Sequence, residues 1–204
     1  MVTVIVIGIL VASVLILNYL GFFQPVVPPP GTNARSGFSA DYDYITQVGA
    51  VTDLNKFTVS VTRIDGSKVY FTYLQTVSTN TTTSSSQDNY SIAFDPTNSE
   101  SYTAGSALPL FVSNSLSEGN GTATVATSAG AVPVPINYSI ITRSGQMQIS
   151  LRYYSGSKSQ VGAYITWSLN YNETTGLLER GSISLVSTLF AYTNLTYTMT
   201  SFQE

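Results

Sequence analysis

The chain has no cysteine and no histidine, and charged residues make up only 9% of its 204 positions. Without cysteine a secreted form has no disulfide framework and must hold its fold by core packing and hydrogen bonds. Without either residue, Ser-His-Asp and Cys-His nucleophilic sites and the usual zinc sites are excluded. Eight Lys and Arg are scattered among eleven Asp and Glu, giving a net charge of -3. No basic patch exists to follow a phosphate backbone, which points away from nucleic acid. Solubility must come from hydroxyls, amides and attached sugars. The scarcity of charge also suits an acidic exterior, where carboxylates are partly neutral.

A glycosidase needs only two carboxylates. The candidates Asp41, Asp43, Asp53, Asp65, Asp88, Asp95, Glu100, Glu118, Glu173 and Glu179 fall almost entirely in expected turns and linkers. Asp41-x-Asp43 and Asp88-Asn89 could offer oxygen ligands to calcium, but no dense acidic loop accompanies them. The expectation is a protein that is not an enzyme, with no catalytic, cofactor-binding or metal residues.

What the chain does have is a long apolar opening, Val2 to Phe23, uncharged and interrupted by Thr3, Ser13 and Asn18. As a helix it would extend about 33 Å, enough for a bilayer core of about 30 Å. In lipid the backbone must satisfy its own hydrogen bonds, which favours a helix despite the many Val and Ile. A hydrophobic α-helix is therefore expected over 1–24, crossing a membrane or lying in a filament core. Three readings stay open: a cleaved signal, a permanent anchor, or a mature chain whose basic leader has been removed. Arg35 is the first positive charge and Gly21-Phe22-Phe23-Gln24 is a poor cleavage site, which counts against a signal. An anchor normally carries Lys or Arg on its cytoplasmic side, so the missing basic flank favours the third reading. The prolines of Gln24 to Gly31 stop the helix, and Pro28-Pro29-Pro30 should form a stiff polyproline II spacer. Thr32 to Ala40 reads as flexible linker, making 25–40 a hinge and 41–204 a separate head.

From Tyr42 onward the apolar pattern has period two, so the head is β. Lys56 to Thr62 and Lys68 to Tyr73 form the clearest hairpin. A three-residue loop, Ile64-Asp65-Gly66, would pair Val61 with Val69, Val59 with Phe71 and Phe57 with Tyr73 on one apolar face. Thr79 to Gln87 is low in complexity and expected to be an exposed loop. A short strand runs from Asn89 to Phe94, and Pro109 makes Leu108 to Val112 an edge or irregular segment. Alternating residues then mark strands around Ile136, Ile149, Trp167 and Ile183, with Trp167 expected in the core, and a last strand spans Leu189 to Met199. Turns fall at Arg143-Ser144-Gly145, Ser155-Gly156-Ser157 and Asn172 to Gly176. An antiparallel β-sandwich, Ig-like or similar, is expected; a barrel or one strongly curved sheet is the alternative.

Six N-x-[ST] acceptor sequons are present, at Asn80, Asn89, Asn120, Asn137, Asn172 and Asn194. A chain so rich in Asn, Ser and Thr produces some by chance. Asn80, Asn120 and Asn172 fall in expected loops or turn edges, where a glycan is accommodated. The charge-free apolar N-terminus, the absence of cysteine, the Ser/Thr/Tyr/Asn-rich β head and the repeated sequons together resemble the surface proteins of thermoacidophilic archaea. Within these the chain is similar to glycosylated filament subunits, either type IV-like pilins or thread-type fibres whose subunits join by donor-strand exchange. The hairpin from Asn170 to Leu178 is similar to one in archaeal anchored exoproteins. The resemblance is one of style over the whole chain and assigns no functional residue. It implies a structural subunit of an extracellular surface filament: a homopolymer, membrane-associated through residues 2–23, bearing covalent glycans. A lone membrane-anchored binding module is the second reading, and an anchored hydrolase the third.

Overall fold

Residues 31–76, 82–84, 89–103, 109–127, 130–154, 164–186 and 192–204 are described by a computed structural model. The strands are β1 (Ser39–Val48), β2 (Val51–Asp65), β3 (Lys68–Thr76), β4 (Thr82–Ser84), β5 (Asn89–Ile92), β6 (Gly119–Thr127), β7 (Gly130–Arg143), β8 (Gln146–Tyr154), β9 (Tyr164–Asn172), β10 (Leu178–Val186) and β11 (Thr193–Gln203). One short helix, α1 (Glu100–Thr103), lies between β5 and β6. All strands belong to a single antiparallel sheet in the order β4-β3-β2-β1-β11-β10-β9-β8-β7-β6, and β5 also pairs with β3.

The expected sandwich is therefore corrected to one sheet. The reason is the last strand: β11 pairs with β1 on one side and β10 on the other. The two halves of the chain thus join edge to edge instead of stacking face to face. The expected N-terminal α-helix is not found among the described residues, whose one helix is the four-residue α1. Residues 2–23 lie outside those described, and among the described residues no helix is long and apolar enough to cross a membrane.

The sheet buries its apolar face by curling around the segment that connects β5 to β6. Phe111 in that segment packs its ring 5.9 Å from Phe71 of β3 and also bridges Leu177, next to β10. In a flat sheet β3 and β10, four strand spacings apart, would be about 19 Å from one another. One residue reaches both because the sheet is curved. Earlier in the same segment, Phe94 stacks on Trp167 at 5.4 Å and Tyr102 meets Tyr153 at 6.2 Å. Leu110 and Phe111 are fully buried, and Leu178 N–H donates to the Leu110 carbonyl at 2.8 Å. The irregular path expected around Pro109 is thus the centre of the core. Trp167, expected in the core, is half-buried and packs against that core.

The β2–β3 register differs from the expected one. Val61 opposes Phe71 and Val59 opposes Tyr73, while Arg63 opposes Tyr70 and Ile64 opposes Val69. The loop has two residues, Gly66 and Ser67, with Gly66 at φ +60° in the first central position, where a type II′ turn places glycine. A bulge between Val61 and Arg63 absorbs the extra residue. Val59, Val61, Val69 and Phe71 still share a buried face, because the strand moved by two positions and the pleat repeats every two.

The linker expected at Thr32 to Ala40 is also corrected. Thr32, Ala34, Phe38 and Ala40 are buried, and β1 already begins at Ser39. Gly31 N–H donates to the Gly66 carbonyl, Asn114 N–H to the Gly31 carbonyl, and Asn33 Nδ2 to the Glu173 carbonyl. Three loops therefore clamp one short strap across the end of the sheet. Gly176, at φ +69°, is essential to the clamp: a Cβ there would meet Thr32 Oγ1 at 2.8 Å.

Two stability outcomes follow from this packing. Gly176→Ala should destabilise the fold by at least about 1–2 kcal/mol, from left-handed strain plus the clash, and by more than Gly145→Ala, which has open space around it. The buried Tyr42 hydroxyl has no partner among the described residues, whereas Tyr171 Oη donates to the Pro109 carbonyl at 2.8 Å. Tyr42→Phe should then be neutral or stabilising, and Tyr171→Phe destabilising by about 1 kcal/mol. Denaturant unfolding of the four variants measures both differences.

Candidate functional site

In a strand, residues two apart project from the same face. An N-x-[ST] sequon lying in a strand therefore presents its Asn and its hydroxyl together. The sheet's outer face is built from such positions. One row across seven strands reads Ile45, Thr196, Ser182, Ser168, Ser150, Ser139 and Asn120. The next reads Gln47, Asn194, Ser184, Thr166, Arg152, Asn137 and Thr122. Three sequons close these rows: Asn194 with Thr196 towards one end, Asn137 with Ser139 and Asn120 with Thr122 at the other.

The sequons of β6 and β7 face one another reciprocally. Asn120 stands opposite Ser139 and Thr122 opposite Asn137. Thr122 Oγ1 donates to Asn137 Oδ1 at 2.8 Å, and both asparagines are exposed. Between them Tyr138 lies over Gly121, where a Cβ would meet the phenol oxygen at 2.6 Å. Glycine at this position lets the tyrosine lie flat across the strand.

The other sequons differ in environment. Asn194 is half-buried; its Oδ1 accepts from Ser184 Oγ at 2.9 Å and its Nδ2 donates to Thr196 Oγ1 at 3.2 Å. Asn172 organises the β9–β10 loop. Its Oδ1 accepts from the N–H groups of Thr174 and Thr175, and its Nδ2 donates to Glu179 Oε1 at 3.0 Å. That arrangement is an Asx turn, a fold-forming task for the amide. In β5 the pleat turns Ser91, the hydroxyl of the Asn89 sequon, into the core at 3% exposure. Asn80 lies outside the described residues. Asn120 and Asn137 are thus the most open acceptors among those described.

The carboxylates do not converge. Among the described residues no three Asp or Glu gather in a metal-holding group. Asp41 accepts from Ser201 Oγ at 2.5 Å and Thr58 Oγ1 at 2.6 Å, while Asp43 stands 3.8 Å from Lys56 Nζ. Asp88 lies outside the described residues. The Ser201 bond, then the Thr58 bond, hold the Asp41 carboxyl below its ordinary value, against a smaller opposing effect of burial. These contacts tie β1 to β2 and β11 at the strap end.

The cations are held in an unusual way. Arg63 lies over Tyr70 at 3.7 Å, Lys68 over Tyr90 at 5.6 Å and Arg152 over Tyr164 at 4.1 Å. Lys56–Asp43 is the one salt bridge among the described residues. Sequence reading missed these contacts. Alternation puts Tyr70 on an outward position but gives Arg63 the parity of the buried Val59 and Val61, and only the bulge turns Arg63 outward, opposite Tyr70. Comparison with protein-family models and with curated proteins finds no match to this chain, so its function is argued from geometry.

The Asp41 junction carries a pH signature. Its carboxyl is depressed in the folded state, so its contribution to stability is complete above the unfolded value of about 4. That contribution is lost as pH falls through the folded value. Thermal unfolding of Asp41→Asn should show a smaller loss of stability below about pH 4 than the parent chain.

Proposed function

We propose that this protein is a non-enzymatic structural subunit of an extracellular surface filament, in which the apolar segment 2–23 joins copies and the β head is displayed as a glycoprotein. The observation that carries the reading is the way the chain enters the head. Immediately after the proline spacer the strap at 31–38 is clamped by three loops. It leads directly into β1, which pairs along its whole length with β2 and with β11. Antiparallel ladder bonds run perpendicular to the strands. A pull along the spacer is therefore shared by two ladders before it can unravel the head, which suits a subunit held by its N-terminal segment.

The outer face supports the glycoprotein part of the proposal. With few charges for solubility, Asn120 and Asn137 would carry sugars on an edge pair of strands, over rows that otherwise expose hydroxyls. The dispersed carboxylates favour a structural over a hydrolytic role. Burial of the apolar segment is stabilising at about 25 cal/mol per Å² of apolar area, so water is a poor surrounding for it. In a filament other copies cover it. In the alternative, a lone membrane-anchored surface module, lipid does.

Electron microscopy of sheared surface material, with mass spectrometry of this chain, tests the proposal. Filaments composed of the chain are expected, with glycopeptides at Asn120 or Asn137. Ala12→Arg should abolish assembly while the head keeps its unfolding transition. Finding the chain only as membrane-bound monomers would select the lone anchor. A monomeric full-length protein, soluble without detergent, would overturn both.

A further inference from the structure

Four residues on the outer face near the β2–β3 turn form a cluster outside the two sequon rows. Arg63 of β2, Tyr70 of β3 and Tyr90 of β5 stand opposite one another across three strands. Lys68, two residues before Tyr70, shares their face. The Tyr70 and Tyr90 rings are 6.0 Å apart, with Arg63 stacked on the first and Lys68 near the second. Arg63 and Lys68 are exposed, and Tyr90 is 44% exposed.

A cation resting on an aromatic ring is held by the ring's face, which leaves the N–H donors unspent. Neither Arg63 nor Lys68 forms a salt bridge among the described residues, even though Asp65 stands opposite Lys68 in the ladder. The cluster therefore presents two positioned cations beside a partly exposed tyrosine ring.

We propose that this cluster binds an acidic carbohydrate, a sugar chain bearing carboxylate or sulfate groups. The anionic group takes the forked donors of Arg63 and the ammonium of Lys68. The apolar face of an adjoining sugar ring lies on Tyr90. From Arg63 to Tyr90 is two strand spacings, about 10 Å, a footprint for linked sugar rings and more than a lone inorganic anion fills. Arg152 is also stacked on tyrosine, but it stands beside Asn137 in the sequon row. Preferring the Arg63 cluster over Arg152 rests on the glycosylation proposed above; the binding chemistry does not.

The test is calorimetric titration of the full chain, in a non-ionic detergent, with trigalacturonate, and with cellotriose as the neutral counterpart. Trigalacturonate is expected to bind and to weaken as salt screens the charges. Arg63→Gln and Lys68→Gln should each weaken it about tenfold, as loss of a charged hydrogen bond does. Tyr90→Ala should weaken it too, while Arg152→Gln leaves it unchanged. The melting transition of each variant reports folding, and two independent cation variants keep the test valid if one fails to fold. Equal binding of cellotriose, no binding of either sugar, loss of binding in Arg152→Gln alone, or binding only to phosphatidylglycerol vesicles would each overturn the proposal. The titration needs no filament, so its outcome is separate from that of the assembly experiment.

Discussion

The pairing of β11 with β1 is the constraint on which the rest of the molecule depends. It inserts the first strand of the head between the second strand and the last, and so makes one sheet of two meanders. A sheet this wide cannot bury its apolar face against itself while flat. Curling lets a single irregular segment, with Phe94, Tyr102, Leu110 and Phe111, fill the concave side. Apolar burial is the dominant favourable contribution to folding, and in a chain without disulfides it has no covalent support.

The core is unusually aromatic, and its polar tips are handled individually. Tyr171 and Tyr102 donate to the carbonyls of Pro109 and Pro96, groups of the connecting segment itself. Burial pushes both phenols well up from their ordinary value, and a neighbouring tyrosine adds to the effect in each. Both therefore stay neutral donors: Tyr171 of β9 ties the segment to the sheet, and Tyr102 holds the segment's own fold. The same proline-rich irregularity that prevents a regular strand supplies the carbonyls they need.

Curvature also separates two chemistries on one sheet. The inner face is hydrocarbon and rings; the outer face is Ser, Thr, Asn and a few cations resting on tyrosine. A face with so few charges gains little from ion pairs, whose exposed forms contribute about 0–1 kcal/mol. Stacked cations and hydroxyl rows give it order without them. That order, together with a strap tied into the central strand, is what makes a tethered and sugar-bearing head a physically coherent reading.

Much of this was determined by sequence alone, wherever the determinant was local. Period-two alternation identified the strands and their buried faces, so Val59, Val61, Phe71, Ile149 and Leu169 were legible as core. The residues around Ser144-Gly145 and Asn172 to Gly176 announced their turns, and N-x-[ST] spacing announced the acceptors. Tertiary structure decided what alternation cannot encode. Period two is blind to a shift of two residues, so the bulge after Val61 and the contact of Arg63 with Tyr70 were hidden. It is equally blind to which strand lies beside which, so one curved sheet and a two-sheet sandwich read alike. The strap at 31–38 looked like linker because its burial comes from three loops distant in sequence. The reciprocal facing of the Asn120 and Asn137 sequons likewise exists only once β6 and β7 pair, because register is a property of two strands together and of neither one alone.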